Sequence, residues 1–240
     1  MKIIIAKDYD EMSKIATEIV AEQILQKKDS ILGLATGTTP LGLYKKLIEL
    51  YKSGRISFKD VKTVNLDEYV GLKKDDKQSY DYFMRKNLFE HIDILPENTH
   101  LPNTEAKDLE KECKRYTKLL ETLTPDIQIL GIGSNGHIGF NEPGTSFDSH
   151  THIVNLTQST IKDNSRLFDS IDKVPTKAIT MGMADIMKAK KILLLATGKN
   201  KANAIKNMIK GDISQDCPAS SLNLHKNVTV IIDKDASSEL

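Results

Sequence analysis

The sequence predicts a doubly wound α/β fold: a mostly parallel sheet flanked by helices, three layers deep, in a single domain spanning residues 1–240. Three observations lead there. Short, continuous apolar runs rich in β-branched residues recur along the chain, as strands buried on both faces require. Between them lie stretches with apolar residues three and four apart, such as Met12, Ile15, Ala16, Ile19 and Val20, or Tyr44, Leu47, Ile48 and Tyr51. No Gly/Ser/Pro-rich linker, low-complexity tract or internal repeat divides the chain.

Taken in order, the strands are expected at Lys2 to Ala6, Ile31 to Ala35, Val61 to Leu66, Asp126 to Ile132, Ala178 to Met181, Lys191 to Ala196 and Val228 to Asp233. Helix starts are marked chemically. Thr39 before Pro40 fits an N-cap followed by proline in the first turn, and Ser79 and Thr104 are expected to open two further helices. The lysine-rich stretch Lys73 to Lys77 reads as a solvated loop placed where it can flank a site.

Composition narrows the function. The 34 basic and 33 acidic residues cancel to a formal charge of +1, so nothing steers the whole chain toward nucleic acid or an anionic membrane, and any basic site is local. Two distant cysteines, Cys113 and Cys217, are too few for a secreted disulfide framework and lack metal spacing, which points to a reducing cytoplasm. The N-terminal MKIIIAKDYDEM has only three consecutive isoleucines before charge returns, and no stretch approaches the ~20 apolar residues of a membrane span.

In an open parallel sheet, ligands bind beyond the carboxyl ends of the strands, where loops converge and helix N-termini point inward. Three segments fall there. Gly33-Leu-Ala-Thr-Gly-Thr-Thr-Pro40 runs from a strand through a glycine turn into a helix, which suits a phosphate or carboxylate; it lacks the Gly-Lys-Ser/Thr ending of a nucleotide triphosphate loop. Val64-Asn-Leu-Asp-Glu-Tyr-Val-Gly71 ends a strand in adjacent acids, candidates for a base of raised pKa. Neighbours on an extended backbone point to opposite sides, so one of Asp67 and Glu68 faces the site, and position alone does not choose between them.

The third segment, Ile129-Leu-Gly-Ile-Gly-Ser-Asn-Gly-His-Ile-Gly-Phe-Asn-Glu-Pro143, contains a Gly-x-Gly-x-x-Gly pattern. It is read as a decoy for dinucleotide binding: Gly139 and Pro143 interrupt the helix that must follow, and no acid-ended strand comes about 20 residues later. The glycines instead let backbone approach a ligand, and His137 with Glu142 resembles an acid/base with its orienting carboxylate. No HExxH or compact Cys/His set completes a metal site, no GxSxG elbow marks a nucleophile, and neither cysteine has a basic setting. Arg166 and Lys201 are the cations of interest, with Lys199 competing for any anion beside Lys201.

These segments together resemble the glucosamine-6-phosphate deaminase family over nearly the whole chain. Gly33 to Pro40 is similar to its phosphate loop, Asn65-Leu-Asp-Glu-Tyr-Val-Gly-Leu to its base motif, Gly136-His-Ile-Gly-Phe-Asn-Glu-Pro to its ring-opening loop and Asn164-Ser-Arg to its phosphate arginine. The resemblance implies a Rossmann-like fold and cofactor-free conversion of D-glucosamine 6-phosphate and water to D-fructose 6-phosphate and ammonium. It assigns the C2-to-C1 proton carrier to Asp67 with Glu68 as neighbour at the substrate, and pyranose opening to His137 partnered by Glu142. Phosphate binding falls to Thr36, Gly37, Thr38, Arg166 and Lys201. Asn135 stands where the family often has an aspartate; the amide can still orient His137, leaving imidazolium stabilisation mainly to Glu142.

Two rival readings fit the sequence less well. A 6-phosphogluconolactonase-like hydrolase shares the fold but needs no C2 base, so the Asp67 motif disfavours it. A sugar-phosphate sensor should carry a DNA-binding extension, for which the α/β pattern leaves no room. Hexameric family members respond to N-acetylglucosamine 6-phosphate through basic residues after the ring-opening loop and a C-terminal tail. Here His152 and Val154 occupy the basic positions and the chain ends at Leu240, so a monomer or small oligomer without that activation is expected.

Overall fold

A computed structural model describes residues 1–157, 161, 168, 170 and 173–240. Seven strands form one parallel sheet in the order β1 (Lys2–Ala6), β10 (Val228–Asp233), β9 (Ile192–Ala196), β6 (Ile127–Leu130), β2 (Ile31–Leu34), β3 (Lys62–Asn65), β5 (Thr99–His100). Its central strands are apolar on both faces. In β9, Leu193 and Leu195 pack with α1 (Tyr9–Gln26), α2 (Leu41–Lys52) and α3 (Tyr80–Asn87) through Met12, Val20, Leu43, Leu47 and Met84. Ile192 and Leu194 face the other way, toward α4 (Leu109–Thr122), α5 (Met183–Ile186) and α6 (Ala202–Lys210), meeting Tyr116, Leu120, Ile186, Ile205 and Met208. Both layers follow from alternation along a strand that has no solvent face.

The expected strand Ala178 to Met181 forms as β8 (Lys177–Thr180), but outside the parallel sheet. It is the middle of a small antiparallel sheet between β4 (Asp67–Tyr69) and β7 (His152–Asn155), pairing Asp67 with Thr180 and His152 with Thr180. The run expected from Val61 to Leu66 ends as β3 at Asn65, and the chain turns at Leu66 into β4. Tyr116 of α4 covers this break: its hydroxyl accepts from the Asn65 N–H at 3.1 Å and donates to the Asn65 carbonyl at 2.8 Å, satisfying backbone groups that a continuous strand would have paired.

Two helix starts differ from expectation. Helix α2 begins at Leu41 with Pro40 in the cap position and no side-chain cap, so Thr39 does not serve. The Tyr9 hydroxyl of α1 fills the role from outside, accepting from the Gly42 N–H at 2.8 Å and donating to the Thr38 carbonyl at 3.0 Å. Helix α4 is capped by Asp108, which accepts from the Lys111 N–H at 3.0 Å; a carboxylate there complements the helix dipole better than the Thr104 hydroxyl, which lies in the preceding turn. Ser79 caps α3 as expected, accepting from the Tyr82 N–H at 3.0 Å.

Candidate active site

Strand order reverses between β2 and β6: β3 and β5 extend one way from β2, β6, β9 and β10 the other. At this switch point the connecting loops diverge to opposite faces and leave a crevice. A cleft of about 320 Å³ occupies it, lined by residues following four strands. Thr36 to Thr39 come from β2, Leu66 and Asp67 from β3, Gly131 to Ser134 with His137, Gly139 and Phe140 from β6, and Asn200 and Lys201 from β9.

The β2 loop has the free backbone donors that suit an anion. Gly37 adopts φ 98°, a conformation open to glycine, and among the described residues the N–H groups of Thr36 to Thr39 donate no hydrogen bond. Tyr44 of α2 fixes the base of the loop by donating to the Ala35 carbonyl at 2.6 Å. Lys201 lines the cleft opposite, at the start of α6; its loop turns at Gly198, whose N–H donates to both carboxylate oxygens of Asp233 at 3.1 Å. Lys199 does not line the cleft, and Arg166 lies outside the described residues.

The docking of α3 on Glu68 distinguishes the adjacent acids. Asp67 faces the cleft, 6% exposed, and accepts no hydrogen bond among the described residues. Burial, helped by the charge of Glu68, raises its carboxyl to about 8. Glu68 points away: Oε1 accepts from the N–H groups of Tyr69 at 2.8 Å and Tyr80 at 2.9 Å, and Oε2 from Asp81 at 2.9 Å. Burial lifts Glu68 to about 7 against the lowering effect of those donors. The Glu68 carboxylate thus anchors β4 to the N-terminus of α3 and does not join the cleft lining.

Residues 137–157 hold no helix, so the glycine-rich segment is not a dinucleotide loop. Its glycines make room for side chains as well as for a ligand. A Cβ on Gly133 would stand 2.3 Å from the His137 imidazole, and one on Gly139 would stand 3.3 Å from Asp67 Oδ2. His137 Nδ1 lies 3.5 Å from Glu142 Oε2, an ion-pair distance without hydrogen-bond geometry. Asn135 ties the group together: its Nδ2 donates to Glu142 Oε2 at 2.7 Å, and its Oδ1 accepts from the His137 backbone N–H at 3.2 Å. Asn141 locks the loop to β8 by donating to the Ile138 carbonyl at 2.9 Å and the Met181 carbonyl at 2.8 Å.

Of the expected residues, Thr36, Gly37, Thr38, Asp67, His137 and Lys201 line one cleft, and Asn135 and Glu142 stand behind His137. Sequence reasoning missed Tyr80, Phe140 and Asn200, which also line it. Tyr80 follows the Ser79 cap, but nothing local aims its ring at the cleft. No group of three or more potential metal ligands occurs among the described residues.

A buried carboxyl and an imidazole–carboxylate pair facing an anion loop across a switch-point cleft define an acid–base enzyme acting on a small anionic substrate. A sequence model described as "Glucosamine-6-phosphate isomerases/6-phosphogluconolactonase" matches residues 7–231, and the chain belongs to that family. It is 59% identical to a glucosamine-6-phosphate deaminase of Thermoanaerobacter sp. (strain X514), covering 99% of this chain and 94% of that protein. It is 52% identical to glucosamine-6-phosphate deaminase 1 of Bacillus subtilis (strain 168), over 99% of both. Among solved structures, a monomeric glucosamine-6-phosphate deaminase superposes with a TM-score of 0.98 at 52% identity over the whole of both chains. A 6-phosphogluconolactonase from Thermotoga maritima, at 23% identity and a TM-score of 0.77, shares the fold over 97% of this chain and 99% of that one.

Proposed function

We propose that this chain converts D-glucosamine 6-phosphate and water to D-fructose 6-phosphate and ammonium. The observation that carries this reading is a buried Asp67 carboxyl with no hydrogen-bond partner among the described residues, in a cleft that also holds the His137 ring and the Thr36–Thr39 anion loop. A lactone hydrolase has no need of such a base; an aldose–ketose isomerisation does.

The chemistry divides among the groups in place. With the 6-phosphate on the N–H groups of Thr36 to Thr39 and the Lys201 ammonium, the sugar's reacting end reaches toward Asp67 and His137, and remote binding energy holds it there. His137 moves a proton from O1 to the ring oxygen, opening the pyranose, with Glu142 beside it to balance the imidazolium. Asp67, as carboxylate, takes the C2 proton and returns it at C1. The resulting C2 imine adds water and expels ammonia, which leaves as ammonium. None of these steps uses a metal or an organic cofactor.

The finer properties belong to the same reading. The enzyme acts in the cytoplasm as a monomer or small oligomer without activation by N-acetylglucosamine 6-phosphate; the structural relative named above is described as monomeric. No helix among the described residues is long and apolar enough to cross a membrane. Ammonium release from glucosamine 6-phosphate, run beside acid release from 6-phosphogluconolactone, tests the assignment. Ammonium without lactone hydrolysis is expected, and the reverse result overturns it.

A further inference from the structure

Two fully buried side chains, Asn141 and Thr180, tie the loop that carries His137 to the strand that carries Asp67, and neither lines the cleft. Asn141 lies beyond the imidazole in the same loop and donates from Nδ2 to the Ile138 carbonyl at 2.9 Å and the Met181 carbonyl at 2.8 Å. Thr180 accepts from the Phe140 N–H on Oγ1 at 3.3 Å. Thr180 ends β8 and Met181 follows it, and this segment is in turn joined to the base strand. Thr180 is the register partner of Asp67, and the Met181 N–H donates to the Leu66 carbonyl at 2.7 Å. At Gly139, between these contacts, the loop passes the base itself. A Cβ on Gly139, whose φ is 59°, would stand 3.1 Å from Thr180 Oγ1 and 3.3 Å from Asp67 Oδ2.

The chemistry needs such a tie. Ring opening exchanges protons at O1 and the ring oxygen, both bonded to C1, and isomerisation moves a proton from C2, the next carbon, to C1. Two groups must therefore reach atoms a bond or two apart, and a misplacement of about 1 Å can cost about a hundredfold in rate. The main chain alone does not fix their spacing, because His137 follows β6 of the parallel sheet and Asp67 opens β4 of the antiparallel one. The Asn141 amide suits the junction: one short side chain brings two N–H donors to two carbonyls, one in the loop and one after β8.

We infer that Asn141 and Thr180 are positioning residues that hold the His137 imidazole in register with the Asp67 carboxyl through β8. The inference rests on the deaminase reading above. It gives the small antiparallel sheet a part in the reaction: β8 sets the spacing between the ring-opening group and the base.

The test uses the full chain with Asn141→Leu, Thr180→Val and Thr180→Ser, with melting temperatures as a control of folding. Two rates are read from each. Ammonium release from glucosamine 6-phosphate needs both His137 and Asp67. Deuterium uptake from D2O into C1 of fructose 6-phosphate, with ammonium present, needs Asp67 without His137, because the imine that loses the C1 proton is already open-chain. Asn141→Leu and Thr180→Val leave the backbone pairing of β4 with β8 in place, so each is expected to lower kcat for ammonium release about tenfold while KM and C1 exchange stay within about twofold. Thr180→Ser retains the hydroxyl and is expected to keep kcat within about threefold of the unaltered protein. Unaltered kcat in Asn141→Leu and Thr180→Val, equal losses of both rates, or a Thr180→Ser enzyme as impaired as Thr180→Val would each overturn the inference while leaving the deaminase reading intact. If Asn141→Leu does not fold, the two Thr180 variants decide by the same criteria. No ammonium from the unaltered chain overturns both.

Discussion

Asp67 and Glu68 are adjacent, yet one meets the substrate cleft and the other holds a helix. The difference fixes a pH dependence. A base must be ionised to accept the C2 proton, and burial lifts Asp67 to about 8, so kcat/KM is expected to rise with pH through that region. A profile already flat above pH 5 would show a base of ordinary carboxylate pKa. For His137→Gln, the glutamine cannot exchange a proton with the ring oxygen; turnover of the pyranose should fall by about a hundredfold or more while a substrate supplied as the open chain still reacts. Equal loss on both forms would give His137 another role.

At the scale of elements, the loop after β6 works through the absence of side chains. A Cβ on Gly133 would meet the His137 ring at 2.3 Å, so Gly133→Ala should displace the imidazole and lower kcat by more than tenfold. Affinity for inorganic phosphate, bound at the β2 loop, should stay within about twofold. Kinetics like those of the unaltered protein would mean the ring has room to move. The same scale shows where the sequence is legible. The two-residue edge strand β5 has no apolar run of its own and is not among those expected; the other six of the seven strands of the parallel sheet stand within a residue or two of expectation because their apolar runs report burial on both faces. β8 carries the same local pattern, and only its partners, β4 and β7, make it antiparallel. The Tyr9 cap on α2 could not be read, since it depends on how α1 and α2 pack and not on residues near the helix start. Likewise the alternation rule said that one of two acids faces the cleft, and only the docking of α3 on Glu68 says which.

Across the whole molecule, the two ends of the sheet are organised oppositely. At the end away from the cleft, Asp126 accepts from Lys27 at 2.5 Å, Lys190 at 2.8 Å and the Ile31 N–H at 2.8 Å. Burial pushes its carboxyl up, but the hydrogen bonds from Lys190 and Lys27 outweigh burial and hold it below the usual range. Its contribution is present above about pH 4 and lost as pH falls through the lowered folded-state value. Asp126→Ala should therefore cost about 2 kcal/mol near neutrality, seen as a lower melting temperature with unchanged kcat. An unaltered melting temperature would remove this cluster from the stability of the fold. At the cleft end the sign is reversed. Asp67 has a raised folded-state value, so its contribution is full below about pH 4 and declines as pH rises through about 8. Melting temperature should fall over that window, and less steeply in Asp67→Asn.

The central claim is that Asp67 carries a proton between two carbons of glucosamine 6-phosphate. The most direct measurement supplies that sugar deuterated at C2 and follows ammonium together with the label by NMR, in the unaltered protein and in Asp67→Asn. The unaltered protein is expected to release ammonium and to leave part of the deuterium at C1 of fructose 6-phosphate. Asp67→Asn is expected to bind the sugar phosphate but to lose at least about a hundredfold in rate, with the C2 deuterium retained. Near-normal turnover in Asp67→Asn, or loss of its C2 label at the rate of the unaltered protein, would contradict the mechanism.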